Sequence, residues 1–218
     1  MADLRSLNVE DLTCERGGAV ILDGLSFSLA SGQALFLRGP NGSGKTTLIR
    51  ALTGLLPLKR GRVFAIGDDE RPISDLQSQL HYIGHANGVK DRLSAIENVR
   101  FWQRYYDGED AGLDAAEDAL EHFNLLDLAD YRAAHLSAGQ KRRLGLSRLL
   151  VAKRPIWLLD EPSVSLDKDS VSFLESAIAR HLADGGVAVV STHIDLRLPS
   201  FRTLNFAARG SAVEEFSC

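Results

Sequence analysis

Cysteine is nearly absent: Cys14 and Cys218 are the only two in 218 residues, near opposite ends of the chain. That count excludes a disulfide framework and a cysteine-based zinc site. Cys14 reads as a buried strand residue, because a free cysteine behaves as a small core hydrophobe. Cys218 reads as a frayed tail. No run of about 18 apolar residues occurs, so no membrane-spanning helix is expected. The start, Met1-Ala2-Asp3-Leu4-Arg5-Ser6, lacks a basic and then apolar segment, which predicts a chain that stays in the cytoplasm. A basic excess is also missing. Lys and Arg number 25 against 29 Asp and Glu, for a net charge of -4. Nucleic acid is therefore excluded as the main partner, since phosphate binding needs a basic surface. Internal repeats, low-complexity tracts and long linkers are lacking too. What remains suits one large domain or a domain with a subdomain, and its 44% hydrophobic content is enough for a sizeable core.

The first thirty residues carry a β pattern. Leu4 to Arg16 alternates loosely, Gly17-Gly18 signals a hairpin turn, and Ala19 to Leu29 resumes the alternation. Ser31-Gly32 makes another turn. Ala34 to Arg38 is a short apolar strand that runs into a glycine-rich loop. Thr46 to Leu56 then predicts a helix, with Leu48, Ile49, Leu52 and Leu55 apolar. Pro57 and Gly61 close this unit, and Arg62 to Gly67 reads as a strand and turn. From Ser94 to Lys153 the pattern is almost wholly helical. Ser94-Ala95-Ile96-Glu97 is a capping box, Leu113, Ala116, Leu120 and Phe123 share a helix face, and a third helix starts near Gly139. The α/β pattern then returns. Ile156 to Leu159 and Val187 to Val190 are the continuous apolar runs of strands covered on both faces, with a helix from Val171 to Leu182 between them. With Gly39-Pro40-Asn41-Gly42-Ser43-Gly44-Lys45-Thr46 set between the strand at Ala34 to Arg38 and the helix that follows it as a phosphate-binding P-loop, the fold class expected is α/β: a P-loop NTPase (RecA-like) core with an N-terminal antiparallel β portion and an inserted α-helical subdomain. The whole of 1–218 reads as one domain, with the core at about 1–88 and 154–218 and the insertion at about 89–153.

Gly39-Pro40-Asn41-Gly42-Ser43-Gly44-Lys45-Thr46 matches G-x-x-x-x-G-K-[ST]. Strand, loop and helix in that order are the context that confirms it. The glycines let the backbone wrap closely around phosphates, and the following helix adds its N-terminal dipole. Lys45 brings a point charge to the β- and γ-phosphates of ATP, the Thr46 hydroxyl is a Mg²⁺ ligand, and Thr47 completes the ATP-binding set. Asp160 and Glu161 stand at the tip of an apolar strand. Such a pair alone is more often a solvated turn. Beside a P-loop, Asp160 becomes a metal-shell residue and Glu161 the general base that polarises the attacking water. His193 follows the next buried strand. It competes with two plainer readings, a satisfied core histidine and a surface one. Lys141-Arg142-Arg143 reads as a solvated helix face. His81 and His85 have helical i, i+4 spacing but flank a strand-and-turn sequence, which makes a metal pair improbable.

Leu136-Ser137-Ala138-Gly139-Gln140 resembles the signature loop of ABC-type ATPases. Ser165-Leu166-Asp167 resembles the D-loop of that family, and His193 its histidine switch, a catalytic residue that contacts the γ-phosphate. The resemblance covers essentially the whole chain, in family order. It implies that the signature completes the ATP site of a neighbouring subunit. Two phosphate-binding helix ends per chain fit two chains paired head to tail around two ATP, a closed two-fold arrangement, with hydrolysis releasing the dimer.

Two positions depart from the general family pattern. His85 stands where a glutamine usually reports on the γ-phosphate and meets a membrane partner. Arg16 stands where an aromatic residue stacks on adenine, and a guanidinium plane can also stack. With Ile83 to Lys90 and Leu136 to Arg143, these features resemble the ATP-binding subunit of bacterial haem-export, cytochrome c maturation systems. That resemblance implies a peripheral protein on the cytoplasmic face of the inner membrane, driving a separate integral membrane permease. Two rival readings are a soluble ABC ATPase acting on a ribosome or DNA, and a P-loop kinase or GTPase. The first lacks the second cassette or long coiled coil those proteins resemble. The second does not need the signature, and a GTPase would show an N-K-x-D motif. A different small ABC exporter also stays open.

Overall fold

The computed structural model describes residues 4–108, 112–207 and 212–215. Cys218 lies outside the described residues. The chain separates into two compact units: Met1–Tyr82 with Arg154–Pro162 and Ile178–Cys218, and Ile83–Lys153 with Ser163–Ala177. The sequence pattern set the insertion at about 89–153. The structure adds the six residues before it, and a second stretch after Pro162, to the helical unit.

The first unit holds two sheets. β1 (Leu4–Arg16), β2 (Ala19–Ala30) and β4 (Arg60–Gly67) form an antiparallel sheet in the order β2-β1-β4. Gly17 and Gly18 both take positive φ, as a two-residue hairpin turn requires. Cys14 is fully buried in β1, and burial raises its thiol pKa. The second sheet runs β5-β6-β7-β3-β8-β9. Its members are β3 (Ala34–Arg38), β5 (Leu80–Ile83), β6 (Ile156–Asp160), β7 (Val187–Ser191), β8 (Phe201–Phe206) and β9 (Ala212–Glu215). β6, β7, β3 and β8 are parallel, and β9 joins antiparallel.

Every residue of β6 and β7 is buried. Each fully buried Leu, Ile or Val there contributes on the order of 1.5–3 kcal/mol relative to exposure, so the strands that carry the site are held rigidly. The register brings their carboxyl ends level. Leu37 lies beside Ser191, and Asp160 lies beside Ser191 from the other side. Ligands of open α/β sheets bind beyond these carboxyl ends.

Helix α1 (Lys45–Leu52) follows β3. The apolar pattern extends it to Leu56, but it stops at Leu52. Gly54 takes φ +75°, which ends a right-handed helix, and Leu55 is 68% exposed rather than part of the buried face. The strands β8 and β9 carry no strong signal in the sequence. β8 mixes buried and half-exposed positions, as an outer part of a sheet does.

In the second unit, α2 (Ala95–Asp107) starts at the expected capping box, with the Ser94 hydroxyl accepting from Glu97 N and the Glu97 carboxylate accepting from Ser94 N. α3 (Asp114–His122) buries Ala116, Ala119 and Leu120, while Leu113, expected on that face, is 49% exposed at the N-cap. α4 (Ala138–Val151) buries Leu144, Leu146 and Leu149. α5 (Lys168–Ala183) follows β6 after a short loop. Among the described residues no helix is long and apolar enough to cross a membrane.

Candidate nucleotide site

The loop between β3 and α1 is shaped to admit something close to its backbone. Gly39 has φ +143°, and a Cβ there would lie 2.6 Å from the Phe206 carbonyl. Gly44 has φ +114°, and a Cβ would press on Leu22 at 3.1 Å. No side chain caps the start of α1, which leaves its first N–H groups without the side-chain acceptor that helix starts commonly have. Ser43 Oγ is buried with no hydrogen-bond partner among the described residues, a condition that an anion oxygen would relieve. Lys45 is buried too, and its Nζ folds back to donate to the carbonyls of Gly39 at 2.7 Å and Pro40 at 3.0 Å. These features together fit a polyphosphate.

Asp160 reaches the same place from β6. Its Oδ1 accepts from Thr46 Oγ1 at 3.1 Å and from Ser191 Oγ at 2.7 Å. A hydroxyl and a buried carboxylate in contact next to an anion cradle suit a hard cation such as Mg²⁺, which binds by one or two protein oxygens plus phosphate and water.

Glu161 is the first residue past the strand and takes φ +50°, unusual for a non-glycine residue. Its N–H is held by both the carbonyl and the hydroxyl of Ser191, each at 3.0 Å. That double anchor supports a backbone conformation costing on the order of 1–3 kcal/mol. The carboxylate then meets His193, whose Nε2 is 3.2 Å from Glu161 Oε1 and 3.1 Å from Asn41 Oδ1. Both neighbours are acceptors, so Nε2 carries the hydrogen and donates. His193 is thus a surface histidine bridging the glycine-rich loop and the strand tip, not a satisfied core residue.

Ser191 and the Asn41 side chain were not singled out in the sequence for these contacts. A lone serine ending a strand of Val and Ala was the available signal for Ser191. Arg16 is exposed at the end of β1, opposite Ala19. The next residues of that hairpin, Ile21 and Leu22, pack on Gly44.

The remaining candidates lie in the helical unit. Ser137 caps α4 by accepting from Gln140 N, and the Gln140 side chain accepts from Ser137 N. Leu136 is buried as an anchor, whereas Ser137 and Ala138 are exposed. Gly139 lies against the loop before α5: a Cβ there would be 3.1 Å from the Ser165 carbonyl. Ser165 itself has φ +67°, Leu166 is half-buried, and Asp167 caps α5 by accepting from Ser170 N at 2.8 Å. Hydrogen bonding from Ser170 holds the Asp167 carboxyl below its usual range, with the Arg143 guanidinium adding to the effect.

Lys141-Arg142-Arg143 is not a solvated face. Lys141 pairs with Asp91 at 2.7 Å, Arg142 is only 3% exposed, and Arg143 donates to the carbonyls of Phe123 and Asn124. Local charge pattern cannot reveal that Lys141 pairs with a carboxylate, and Arg142 and Arg143 with backbone carbonyls, from distant loops. His81 is fully buried in β5 and His85 is exposed in the loop after it. Helical spacing between them therefore has no helix to act on.

A phosphate-shaped loop at a central strand, a carboxylate pair on the next strand but one, and a capped signature helix define an ATP-binding cassette. The chain belongs to the ABC transporter family, whose model matches residues 22–164. Within it the chain is similar to the "Cytochrome c biogenesis ATP-binding export protein CcmA" of Ruegeria pomeroyi, at 51% identity over 88% of this chain and 87% of that protein. It is 50% identical to the protein of the same name from Paracoccus denitrificans, over 91% of this chain and 87% of the relative. Among solved structures, an ATP-binding ABC transporter protein from Pyrococcus furiosus matches with a TM-score of 0.78 and 25% identity, covering 91% of this chain and 96% of its own. A dimeric ATP-binding cassette bound to ADP and Pi matches at a TM-score of 0.78 and 21% identity, over 97% and 100% of the two chains, and shows the same fold.

Proposed function

We propose that this chain is the ATP-hydrolysing subunit of an export system serving cytochrome c maturation, with haem or a haem-linked group as the transported cargo. The observation that supports the catalytic part best is the convergence of Lys45, Asp160, Glu161 and His193 at the carboxyl edge of one sheet, beside a loop whose buried Ser43 hydroxyl has no partner among the described residues.

In this reading the residues 39–47 hold the ATP phosphates, and Arg16 stacks on the adenine. Thr46 and Asp160 hold Mg²⁺, which supplies charge neutralisation at the β- and γ-phosphates when bound. Glu161 accepts the proton of the attacking water as general base. His193 donates through Nε2 and keeps the Glu161 carboxylate aimed, with Asn41 tying both to the phosphate loop. The exposed Ser137 and Ala138, the N-terminus of α4 and the loop 165–167 complete the ATP site of a second copy, so that two chains enclose two ATP. His85 belongs to the loop that meets the membrane subunit. The relatives are named as export proteins, and export requires a path through the membrane, which a separate integral membrane protein supplies with this chain on its cytoplasmic side.

Genetic replacement tests the reading. In cells deleted for this chain, cytochrome c maturation is expected to fail, to return with the wild-type chain, and not to return with Glu161→Gln. Full maturation without the chain, or with the hydrolysis-deficient variant, would overturn it.

A further inference from the structure

The loop after β5 is bound along one face of the signature helix. Arg142 is the first attachment. The residue is only 3% exposed, and one nitrogen of its guanidinium donates both to the Gly84 carbonyl at 3.2 Å and to Asn87 Oδ1 at 3.0 Å. Gly145, one turn further along α4, is the second. A Cβ there would lie 2.7 Å from the Asn87 carbonyl and 3.3 Å from its Cα, so only glycine lets the loop backbone rest on the helix. Arg148 is the third: its guanidinium packs over the Trp102 ring at 4.5 Å, and Trp102 Nε1 donates to the Gly88 carbonyl at 3.2 Å. Beyond these, the buried Asn98 side chain accepts from Lys90 N at 2.7 Å and donates to the Lys90 carbonyl at 3.1 Å. Residues 142, 145 and 148 follow one another at i+3 and share a ridge of the helix. His85 stands between the two loop residues that Arg142 holds, with its own side chain exposed.

A buried cation hydrogen-bonded to a loop is costly to leave unpaired. Gly84 and Asn87 therefore move with α4 or not at all. Five residues before Arg142 is Ser137, the exposed end of the same helix.

We propose that Arg142 is a positioning residue that locks the His85 loop to the signature helix of the same chain, so that displacement at His85 is delivered to Ser137–Gly139. This inference rests on the reading that the signature closes on the ATP of a second copy. Arginine suits the lock better than lysine, because a guanidinium is more weakly hydrated than an ammonium and so less costly to bury.

The test uses the full-length chain carrying Glu161→Gln, with amide hydrogen exchange followed at 84–90 and at 136–141, with and without Mg·ATP. The parent is expected to gain protection in both segments on adding ATP. With Arg142→Met added, 136–141 is expected to lose its response while ATP still binds at the P-loop. In the otherwise wild-type chain, Arg142→Met should lower kcat roughly threefold to thirtyfold, the range of a lost coupling contact, with KM for ATP little changed. Arg142→Lys should recover only part of this. An unchanged ATP response of 136–141 in Arg142→Met overturns the proposal, whatever happens to kcat. If that variant does not fold, Asn87→Ala, which removes one of the two acceptors, decides by the same readout. A parent that gains no protection at 136–141 would instead contradict the shared-site reading itself.

Discussion

At the scale of single residues, the site is a set of polar groups that the sheet brings together from segments more than a hundred residues apart. Glu161 is proposed as the base because it meets His193, and because its own backbone is pinned in a left-handed conformation by Ser191. Glu161→Gln keeps the shape and an acceptor oxygen but removes the charge. Hydrolysis is expected to fall roughly 10²- to 10⁴-fold, with ATP affinity retained, measured as single-turnover phosphate release alongside nucleotide binding. Normal turnover by this variant would remove Glu161 from the role. Most of these residues were legible in the sequence because their spacing is dictated by backbone geometry: the glycines must wrap phosphate, and the carboxylates must end a strand. Ser191 was not, since one hydroxyl at a strand end has no distinguishing neighbours. Arg142 was read as solvated for a related reason: its partners Gly84 and Asn87 are more than fifty residues away, and a run of cations looks alike exposed or buried.

At the scale of elements, apolar continuity identified β3, β6 and β7 well, since parallel strands covered on both faces leave few alternatives. Strand β8 escaped because it mixes buried and half-exposed positions, and β9 because it is only four residues long. The end of α1 was misplaced because apolar residues continue past Gly54 while the helix does not. On α2, Arg100 and Trp102 are half-buried and Tyr105 is exposed.

β6 also carries a pH-sensitive contact. Trp157 stacks on His181 of α5 with ring centroids 3.9 Å apart and planes 9° apart, and His181 Nε2 donates to the Val187 carbonyl at 3.1 Å. Burial lowers the His181 pKa from 6.5 to about 4. Between those values the unfolded chain binds a proton that the folded chain refuses, so stability falls as pH drops below 6.5 and the loss is complete near 4. From pH 7 to pH 5 this amounts to about 2 kcal/mol. His181→Phe keeps the stacked ring and should remove that part of the pH dependence, shifting both values by a constant for the lost hydrogen bond. Denaturant unfolding of the two proteins at both pH values checks it. Equal slopes against pH would show that His181 does not titrate in this window.

At the scale of the whole molecule, each chain carries a complete phosphate cradle in one unit and an exposed, capped helix start in the other. ATP is proposed to join two copies through these two features. Sedimentation of Glu161→Gln with saturating Mg·ATP tests it most directly. The expected result is a dimer holding two ATP, reverting to monomer when ATP is withdrawn. Adding Ser137→Arg should leave ATP binding intact and the protein monomeric. An ATP-saturated monomer without the second substitution, or a dimer indifferent to both ATP and Ser137→Arg, would contradict the account.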